Sequence, residues 1–248
     1  MKNKRFWLLA LVLGIYLIVI SFPVYLMTND VHVRLIVMLS LRTAYLIFII
    51  VFSIFLKLLK SYYGKTRLFN ILLLSPLFLV AFMNLFYWLV VTKSNLPLNT
   101  DATLNVLKIF LIIVTVAEEE ILFRMVVQKN IVLGHKIIRI VITAAIFAFA
   151  HIFTILFEGY PIVHPIELLQ LIVLFAIGLI LGILYEYTNN LVVPITFSLI
   201  YSFCTDFLAK NTFLEADYKY YITIAAFLLF ASAYINAFYF LMLKKENR

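Results

Sequence analysis

Charged residues are scarce in this chain. Of its 248 residues only 13% are Asp, Glu, Lys or Arg, whereas 65% are apolar, and the mean hydropathy is +1.09. A soluble domain of this size has about 25% charged and about 45–50% apolar residues. A soluble fold would have to expose most of these apolar side chains, because there is too little polar surface to cover it. The composition therefore excludes an ordinary soluble globule and indicates a polytopic helical membrane protein.

Cysteine is nearly absent as well. The single cysteine, Cys204, excludes a disulfide framework and a metal site built from several cysteines. The sequence also has no internal repeat, no low-complexity tract and no linker long enough to separate two domains. We therefore predict one integral membrane domain over residues 1–248.

Long apolar runs are what the sequence does contain. A helix that crosses a bilayer needs roughly 20 apolar residues, and runs of this length predict an all-α bundle of about eight transmembrane helices. The first run lacks a cleavage site, which favours an uncleaved span over a signal peptide. Gly178 and Gly182, four residues apart, predict the close approach of a neighbouring helix. The predicted spans are about 6–27, 35–56, 68–92, 105–128, 137–157, 166–185, 191–208 and 222–243.

The basic residues are distributed unevenly between alternate loops. Of the 20 Lys and Arg residues, 13 fall at the N-terminus, in the 57–67 and 129–139 loops and in the C-terminal tail. The opposite loops hold 4, which are Arg34, Lys93, Lys210 and Lys219. Because basic residues concentrate on the cytoplasmic side, both termini are predicted to be cytoplasmic. The net charge of +8 then reflects orientation and attraction to anionic membrane lipids, and nucleic acid is not an expected partner.

Three consecutive acids, Glu118, Glu119 and Glu120, lie inside the fourth predicted span. Ionisable groups within a membrane are costly and usually mark a functional site or pathway. Glu120 and Arg124 are four residues apart with the acid first, which favours an ion pair on one helical face. Glu119 points about 100° away and has no local counter-charge, which suits a general base. The alternative is a cluster of ion pairs that only braces the bundle.

The second element of the candidate site is a histidine in the fifth span. Phe147 and His151 share one helical face, and the short preceding loop makes the fourth and fifth spans antiparallel neighbours. Counted from the cytoplasmic helix ends, Glu119 and His151 differ in level by roughly 7 Å. Of two further ionisable groups in spans, Arg42 either pairs with a carboxylate or braces the bundle, and Asp206 has no assigned role.

These two elements, in this order and in a bundle of this size, resemble the CAAX-protease and bacteriocin-processing family, also called CPBP or Abi. The first motif of that family, Glu-Glu-x-x-x-Arg, is matched by Glu119, Glu120 and Arg124. The second motif, Phe-x-x-x-His, is matched by Phe147 and His151. The resemblance implies that these residues belong to a catalytic site.

The resemblance extends over about residues 105–208, which it identifies as a catalytic-type core, but the third motif departs from the family. His-x-x-x-Asn is replaced there by Ser198 and Ser202. In the family this pair would donate hydrogen bonds to the developing oxyanion, and losing one such donor typically lowers the rate by about 10²–10³. The altered motif permits either a slowed protease or a scaffold without catalysis.

The resemblance therefore implies two functions. The first is an intramembrane endopeptidase in which a water activated by Glu119 and His151 hydrolyses a peptide bond. Its substrate would be a membrane-associated peptide or protein, such as a bacteriocin or pheromone precursor. The second is a catalytically impaired scaffold that binds a membrane-protein partner in bacteriocin immunity or cell-envelope regulation. A composition rich in Lys, Ile, Phe and Asn favours a bacterial plasma membrane.

A metal is the remaining question for the mechanism. Members of the family have been described as metalloproteases, yet zinc normally takes three protein ligands. This bundle offers one histidine within a predicted core span together with carboxylates, so Glu119 and His151 are the candidate ligands. We expect a glutamate-activated water with no cofactor, and keep zinc as the alternative.

Overall fold

Helices account for nearly all of the chain that is described by the computed structural model, which covers residues 2–22, 28–56, 101–131, 135–157, 165–203 and most of 222–237. No strand occurs within these ranges, so the predicted all-α class is confirmed for them. Helical backbone recurs between 222 and 237. The helices are α1 (Lys2–Ile20), α2 (Val31–Phe55), α3 (Ala102–Glu120), α4 (Lys136–Phe157), α5 (Pro165–Thr188) and α6 (Val192–Ser202).

Two helices begin side by side at aspartate caps. The Asp30 carboxylate accepts hydrogen bonds from the first amides of α2, and the Asp101 carboxylate does the same for α3. Such caps satisfy N–H groups that have no partner inside the helix. His32 Nε2 lies 3.0 Å from Asp101 Oδ2. The starts of α2 and α3 are thus adjacent, and the two helices pack against each other along their length in parallel.

A π-helix, Ile121–Gln128, continues α3 without a break. Every residue from Leu122 to Gln128 is buried, including Arg124. A π-helical turn is wider than an α-helical turn, and such turns are frequent at functional sites. The polar residues of this segment are therefore surrounded by other helices and not by lipid or water.

The far end of the π-helix is hydrogen-bonded to α5, and α5 is bonded there to α4. Gln128 Nε2 donates to Glu186 Oε2 at 3.2 Å, and Arg139 Nη2 donates to Glu186 Oε1 at 2.8 Å. Lys129 Nζ donates to Asn189 Oδ1 at 3.1 Å. Burial lowers the pKa of Lys129. These bonds fix the π-helix between α4 and α5 at the end remote from Asp101.

The closest helix packing is between α4 and α5. A Cβ atom on Gly178 would lie 3.0 Å from the Cα atom of Ala144, and one on Gly182 would lie 2.9 Å from Ile140 Cγ2. Only glycine leaves room for the backbones at this separation. The predicted close approach at these two glycines is confirmed.

The bundle buries charged side chains together with an apolar core and exposes large apolar side chains. Glu118, Glu120 and Arg124 are buried, whereas many large apolar side chains face outward. Contiguous exposed apolar surface with charges inside is typical of membrane-embedded proteins. By length and composition, two of the described helical segments could cross a membrane, Val31–Phe55 and Leu169–Thr188. Outward-facing examples are Trp7, Ile47, Val51, Phe55, Phe149 and Phe230.

The complete topology stays a prediction. The predicted third span at 68–92 and Asp206 lie outside the described residues, as does much of the eighth span at 222–243. The count of eight helices and the cytoplasmic position of both termini therefore remain expectations from the sequence.

Candidate active site

Glu119 lies where four helices meet. Its Oε1 atom accepts a hydrogen bond of 3.1 Å from the Tyr16 hydroxyl on α1. The same oxygen lies 3.6 Å from Arg42 Nη1 on α2 and 3.7 Å from His151 Nε2 on α4. One carboxylate oxygen on α3 thus faces a phenol, a guanidinium and an imidazole that come from three other helices.

Glu118 forms an ion pair with a cation that the sequence left unassigned. Arg42 Nη1 donates to Glu118 Oε1 at 3.0 Å, and Glu118 is fully buried. The second oxygen, Oε2, has no hydrogen-bond partner among the residues that the structure describes. Since a buried charge is stable only when paired, Arg42 is what permits a carboxylate at position 118.

Glu120 is neutralised within its own helix. Arg124 Nε donates to Glu120 Oε2 at 3.1 Å, and both side chains are buried. The Ser198 side chain on α6 also lies near this carboxylate. The Arg124 guanidinium carbon lies 5.6 Å from the centre of the Phe147 ring, within range of a cation–π contact. Glu120 and Arg124 therefore tie α3 and its π-helix to α4 and α6.

Accessibility distinguishes the three acids. Glu118 is 0% exposed and Glu120 is 1% exposed, whereas Glu119 is 8% exposed. Glu118 and Glu120 each make a close bond to an arginine, while the Arg42 guanidinium lies 3.6 Å from Glu119. Glu119 is thus the carboxylate of the three that water can reach and that no arginine fully neutralises.

The tautomer of His151 follows from its second contact. Nδ1 lies 2.8 Å from the Phe147 carbonyl oxygen, one turn earlier in α4. A carbonyl oxygen can only accept a hydrogen bond, so Nδ1 carries the proton. In the neutral ring Nε2 is then an unprotonated acceptor, and it is this atom that faces Glu119. The Phe147 ring lies beside the imidazole with the ring centres 4.5 Å apart.

The two serines of the altered third motif lie in different surroundings. Ser198 lies near Glu120. Ser202, one turn further along α6, lines a cleft of about 170 Å³ between α2, α3 and α6. The structure therefore brings together Glu119 with His151 and Glu120 with Arg124 and Ser198, while Ser202 is part of an adjoining cleft.

The donors around Glu119 do not fit a metal site. Two candidate ligands, Glu119 and His151, face each other, but their neighbours are the Arg42 cation and the Tyr16 phenol. A guanidinium 3.6 Å from the carboxylate oxygen occupies the place of a further ligand and repels a cation. Among the described residues, no three His, Cys, Asp or Glu side chains are grouped so that they could hold a metal ion. We therefore derive no step through a metal.

One residue of the site was missed by the sequence analysis, and for a second the partner was not identified. Tyr16 carried no signal, because a tyrosine in an apolar helix is ordinary. Arg42 was noticed as a deep cation, but its partner is 76 positions away, and the Tyr16–Glu119 pair spans 103 positions. Contacts between residues so far apart in the sequence depend on which helices are neighbours, and the spacing of residues within one helix does not show this.

Comparison with known proteins supports the predicted resemblance. Residues 101–204 match the family model described as type II CAAX prenyl endopeptidase Rce1-like, which covers less than half of the chain. The matched residues contain α3 to α6, including Glu119, Glu120, Arg124 and His151. No curated protein and no solved structure matches the chain. The resemblance to the CAAX-protease family is confirmed over the matched region, and this family is a membrane-embedded protease family.

Proposed function

We propose that this chain is an intramembrane endopeptidase that hydrolyses a peptide bond in a membrane-associated peptide or protein. The observation that carries the proposal is the distance of 3.7 Å between Glu119 Oε1 and His151 Nε2. Both residues lie in the region that matches the protease family. The expected location is the plasma membrane of a bacterium, with membrane lipids and the peptide substrate as partners.

The facing atoms of this pair are both hydrogen-bond acceptors. A deprotonated carboxylate has no proton to donate, and His151 Nε2 has none in the tautomer that the Phe147 carbonyl favours. Two acceptors cannot bond directly, but a water molecule can donate one O–H to each. The pair thus favours a water whose two protons point towards bases and whose oxygen lone pairs point away, which is the arrangement of an activated nucleophile.

The hydrolysis then needs one proton transfer in each direction. The water oxygen attacks the carbonyl carbon of the peptide, and Glu119 accepts the proton that the water loses. When the C–N bond breaks, the protonated Glu119 returns this proton to the departing amine. His151 holds the water by the second hydrogen bond and orients it. The products are a carboxylic acid and an amine, as the balance of a hydrolysis requires.

Stabilisation of the oxyanion falls to other residues than the sequence predicted. Ser198 lies near the Glu120 carboxylate, which competes with a substrate oxygen for its hydroxyl proton. The donors closest to Glu119 are the Tyr16 hydroxyl and the Arg42 guanidinium, both aimed at the same carboxylate oxygen. In this proposal one of them turns to the oxyanion as charge develops there. A guanidinium can supply the charged donor that the missing imidazole would have given.

The proposal is tested with the full-length protein in nanodiscs. Synthetic peptides that cover bacteriocin precursors and membrane-protein segments are incubated with it, and the products are identified by mass spectrometry. Glu119→Gln and His151→Asn should each lower the cleavage rate by about 10²–10⁴. His135→Asn is the matched control, because His135 is exposed outside the site, and it should cleave like the wild type. Cleavage that survives both site substitutions would refute the mechanism.

A catalytically impaired scaffold is the second candidate function. The observation that favours it is the third motif, which has Ser198 and Ser202 in place of an imidazole and an amide. Such a protein would bind a membrane-protein partner in bacteriocin immunity or envelope regulation. Absence of cleavage for all peptides, together with a membrane protein that copurifies equally with the wild type and with Glu119→Gln, would support this function over the first.

A further inference from the structure

Two cations from different segments of the chain are bonded to the end of α5. Lys129 directly follows the π-helix, and its Nζ atom donates to Asn189 Oδ1 at 3.1 Å. Arg139 lies in the first turn of α4, and its Nη2 atom donates to Glu186 Oε1 at 2.8 Å. Glu186 belongs to the last turn of α5, and Asn189 is the residue that follows this helix. The end of α5 therefore holds Lys129 and Arg139 close to each other.

The register of α4 on α5 brings a third cation, Lys136, to the same place. The contact of Gly178 with Ala144 is repeated four residues further along α5 and four residues back along α4. One more step of this kind places Glu186 opposite Lys136, on the same face of each helix. Lys136 and Arg139 are three residues apart on α4, so their side chains are neighbours as well. Lys136 is exposed and thus lies at the outer edge of this group.

These three residues, Lys129, Lys136 and Arg139, form a basic cluster with a surplus of positive charge. Within the described part of the chain, Glu186 is the carboxylate that bonds to the cluster, and both of its oxygens are engaged. Oε1 accepts from Arg139, and Oε2 accepts from Gln128 Nε2 at 3.2 Å. Burial lowers the pKa of Lys129, and the neighbouring Arg139 and Lys136 cations lower it further, against the effect of Glu186. Three cations against one carboxylate leave two positive charges, and a bound anion would relieve their repulsion.

Lys129 is fixed in position by two contacts besides its charge. Its Nζ atom lies 5.2 Å from the centre of the buried Tyr185 ring, in range of a cation–π contact. Asn189, which accepts its hydrogen bond, has a φ of 47°, in the left-handed region that asparagine adopts more readily than most residues. An ammonium group has three N–H donors, and Asn189 takes one of them. A ligand would therefore meet an ammonium that is already ordered, which lowers the entropic cost of binding.

The chemistry of the cluster suits a phosphate group. The Arg139 side chain is 23% exposed, and a guanidinium has five N–H donors in a planar fork that matches phosphate oxygens. A phosphate group carries up to about two negative charges and several acceptor oxygens, which is the charge that the basic cluster lacks. Basic pockets between helices at the end of a membrane bundle are also where anionic lipid headgroups bind.

We propose that the basic cluster is a binding site for a phosphate group, carried either by an anionic lipid headgroup or by a small soluble phosphate. Lys129 and Arg139 bind the phosphate oxygens from two sides, and Lys136 adds its charge from the exposed edge. The ligand joins the ends of the π-helix, α4 and α5, and so stabilises the folded bundle. This site is separate from the acidic cluster, and it does not depend on the endopeptidase function.

The binding test measures the Tm of the full-length protein in dodecyl maltoside by fluorescence-detected size-exclusion chromatography. Three additives are titrated at equal ionic strength: inorganic phosphate, dioctanoyl phosphatidylglycerol, and dioctanoylglycerol, which has the same acyl chains but no phosphate. One or both phosphate-bearing probes should raise the Tm by about 3–6 °C at about ten times the midpoint of the titration. Dioctanoylglycerol should leave it unchanged.

The pattern of shifts identifies the source of the phosphate. A shift with phosphatidylglycerol alone assigns the site to a lipid headgroup, and a shift with inorganic phosphate alone assigns it to a soluble phosphate. Shifts with both probes would show that the phosphate group is sufficient for binding. In each case the midpoint should rise with added sodium chloride, because salt screens exposed charges.

Variants of the two lysines test the assignment of the charge. Lys129→Gln and Lys136→Gln should each raise the midpoint about 3- to 10-fold, and the double variant should abolish the shift. Arg139 is left unchanged, because it also pairs with the nearly buried Glu186 carboxylate. Lys108→Gln is the matched control, since Lys108 is a half-buried lysine of α3 outside the cluster, and it should keep the wild-type midpoint. Each shift is taken from the variant's own Tm without additive.

Three results would overturn the proposal. The first is the absence of a Tm shift with either phosphate-bearing probe. The second is an equal shift with dioctanoylglycerol, which would assign the effect to the acyl chains. The third is a midpoint that is the same in the wild type and in Lys136→Gln. This variant keeps the test decisive even if Lys129→Gln does not fold, because Lys136 is exposed.

Discussion

Replacing Arg124 by methionine is the most direct test of how the acidic cluster is held. The change keeps an unbranched side chain of similar length and removes the cation from a pair whose two members are 0% and 1% exposed. The Glu120 carboxylate would keep Ser198 as a described neighbour. Removing one partner of a buried ion pair costs about 3–5 kcal/mol, because the other charge is left uncompensated.

The size of this effect can be measured as thermal stability. For a chain of this length, 1 kcal/mol corresponds to about 2–4 °C in Tm, so Arg124→Met should lower the Tm by about 6–20 °C. The double variant Glu120→Leu with Arg124→Met removes both charges and should recover most of this loss. Lys136→Met, an exposed lysine substitution, is the control and should leave the Tm unchanged.

The assay is fluorescence-detected size-exclusion chromatography of heated, detergent-solubilised protein. A Tm of Arg124→Met within about 2 °C of the wild type would show that the pair contributes less than about 1 kcal/mol, and the reasoning would be wrong. A double variant that is destabilised by the sum of both single changes would show that the two side chains are not coupled. Glu119→Gln should differ from both, with wild-type stability and little cleavage.

Three further predictions concern contacts around the site. Tyr16→Phe removes the hydroxyl that bonds to Glu119. If this hydroxyl stabilises the oxyanion, the cleavage rate should fall by about 10²–10³. An unchanged rate would assign that role to Arg42. Gly178→Ala should destabilise the protein by about 1–3 kcal/mol, because the added Cβ would lie 3.0 Å from the Ala144 backbone. Gly14→Ala is the control, since a Cβ there has nothing within 4 Å, and it should stabilise the helix by about 0.5–1 kcal/mol. Equal changes in Tm for the two variants would contradict the close packing at Gly178. Ser198→Ala should lower stability by about 1–3 kcal/mol by removing a hydroxyl near the buried Glu120 carboxylate, and an unchanged Tm would show that this hydroxyl contributes nothing.

Local spacing predicted the parts of the site that lie within one helix. The Glu120–Arg124 pair follows from a separation of four residues, and the structure has it at 3.1 Å. The close approach at Gly178 and Gly182 also follows from a spacing of four. In both cases the helical repeat alone determines which side chains share a face.

Helical spacing was not sufficient to predict the contacts between different helices. From the rise per residue, Glu119 and His151 were predicted to lie at levels roughly 7 Å apart. The atoms that face each other, Glu119 Oε1 and His151 Nε2, are 3.7 Å apart. The directions of the two side chains and the packing of the helices make up this difference, and neither is visible in a sequence. The Arg42–Glu118 pair and the Tyr16–Glu119 bond depend in the same way on which helices are neighbours. The π-helix after α3 had no sequence signal at all.

The charges of the cluster explain why the proposed mechanism assigns the chemistry to the middle acid. Three carboxylates face two guanidiniums, Arg42 and Arg124, and these form their shortest bonds to Glu118 and Glu120. With all groups charged the cluster keeps one net negative charge, and it resides on Glu119. A charge in such surroundings is stabilised by hydrogen-bond donors such as the Tyr16 hydroxyl, and in the proposed mechanism it is relieved when Glu119 takes a proton from water. Consecutive acids in a helix point about 100° apart, so the outer two can bind arginines on different sides while the middle one remains for His151.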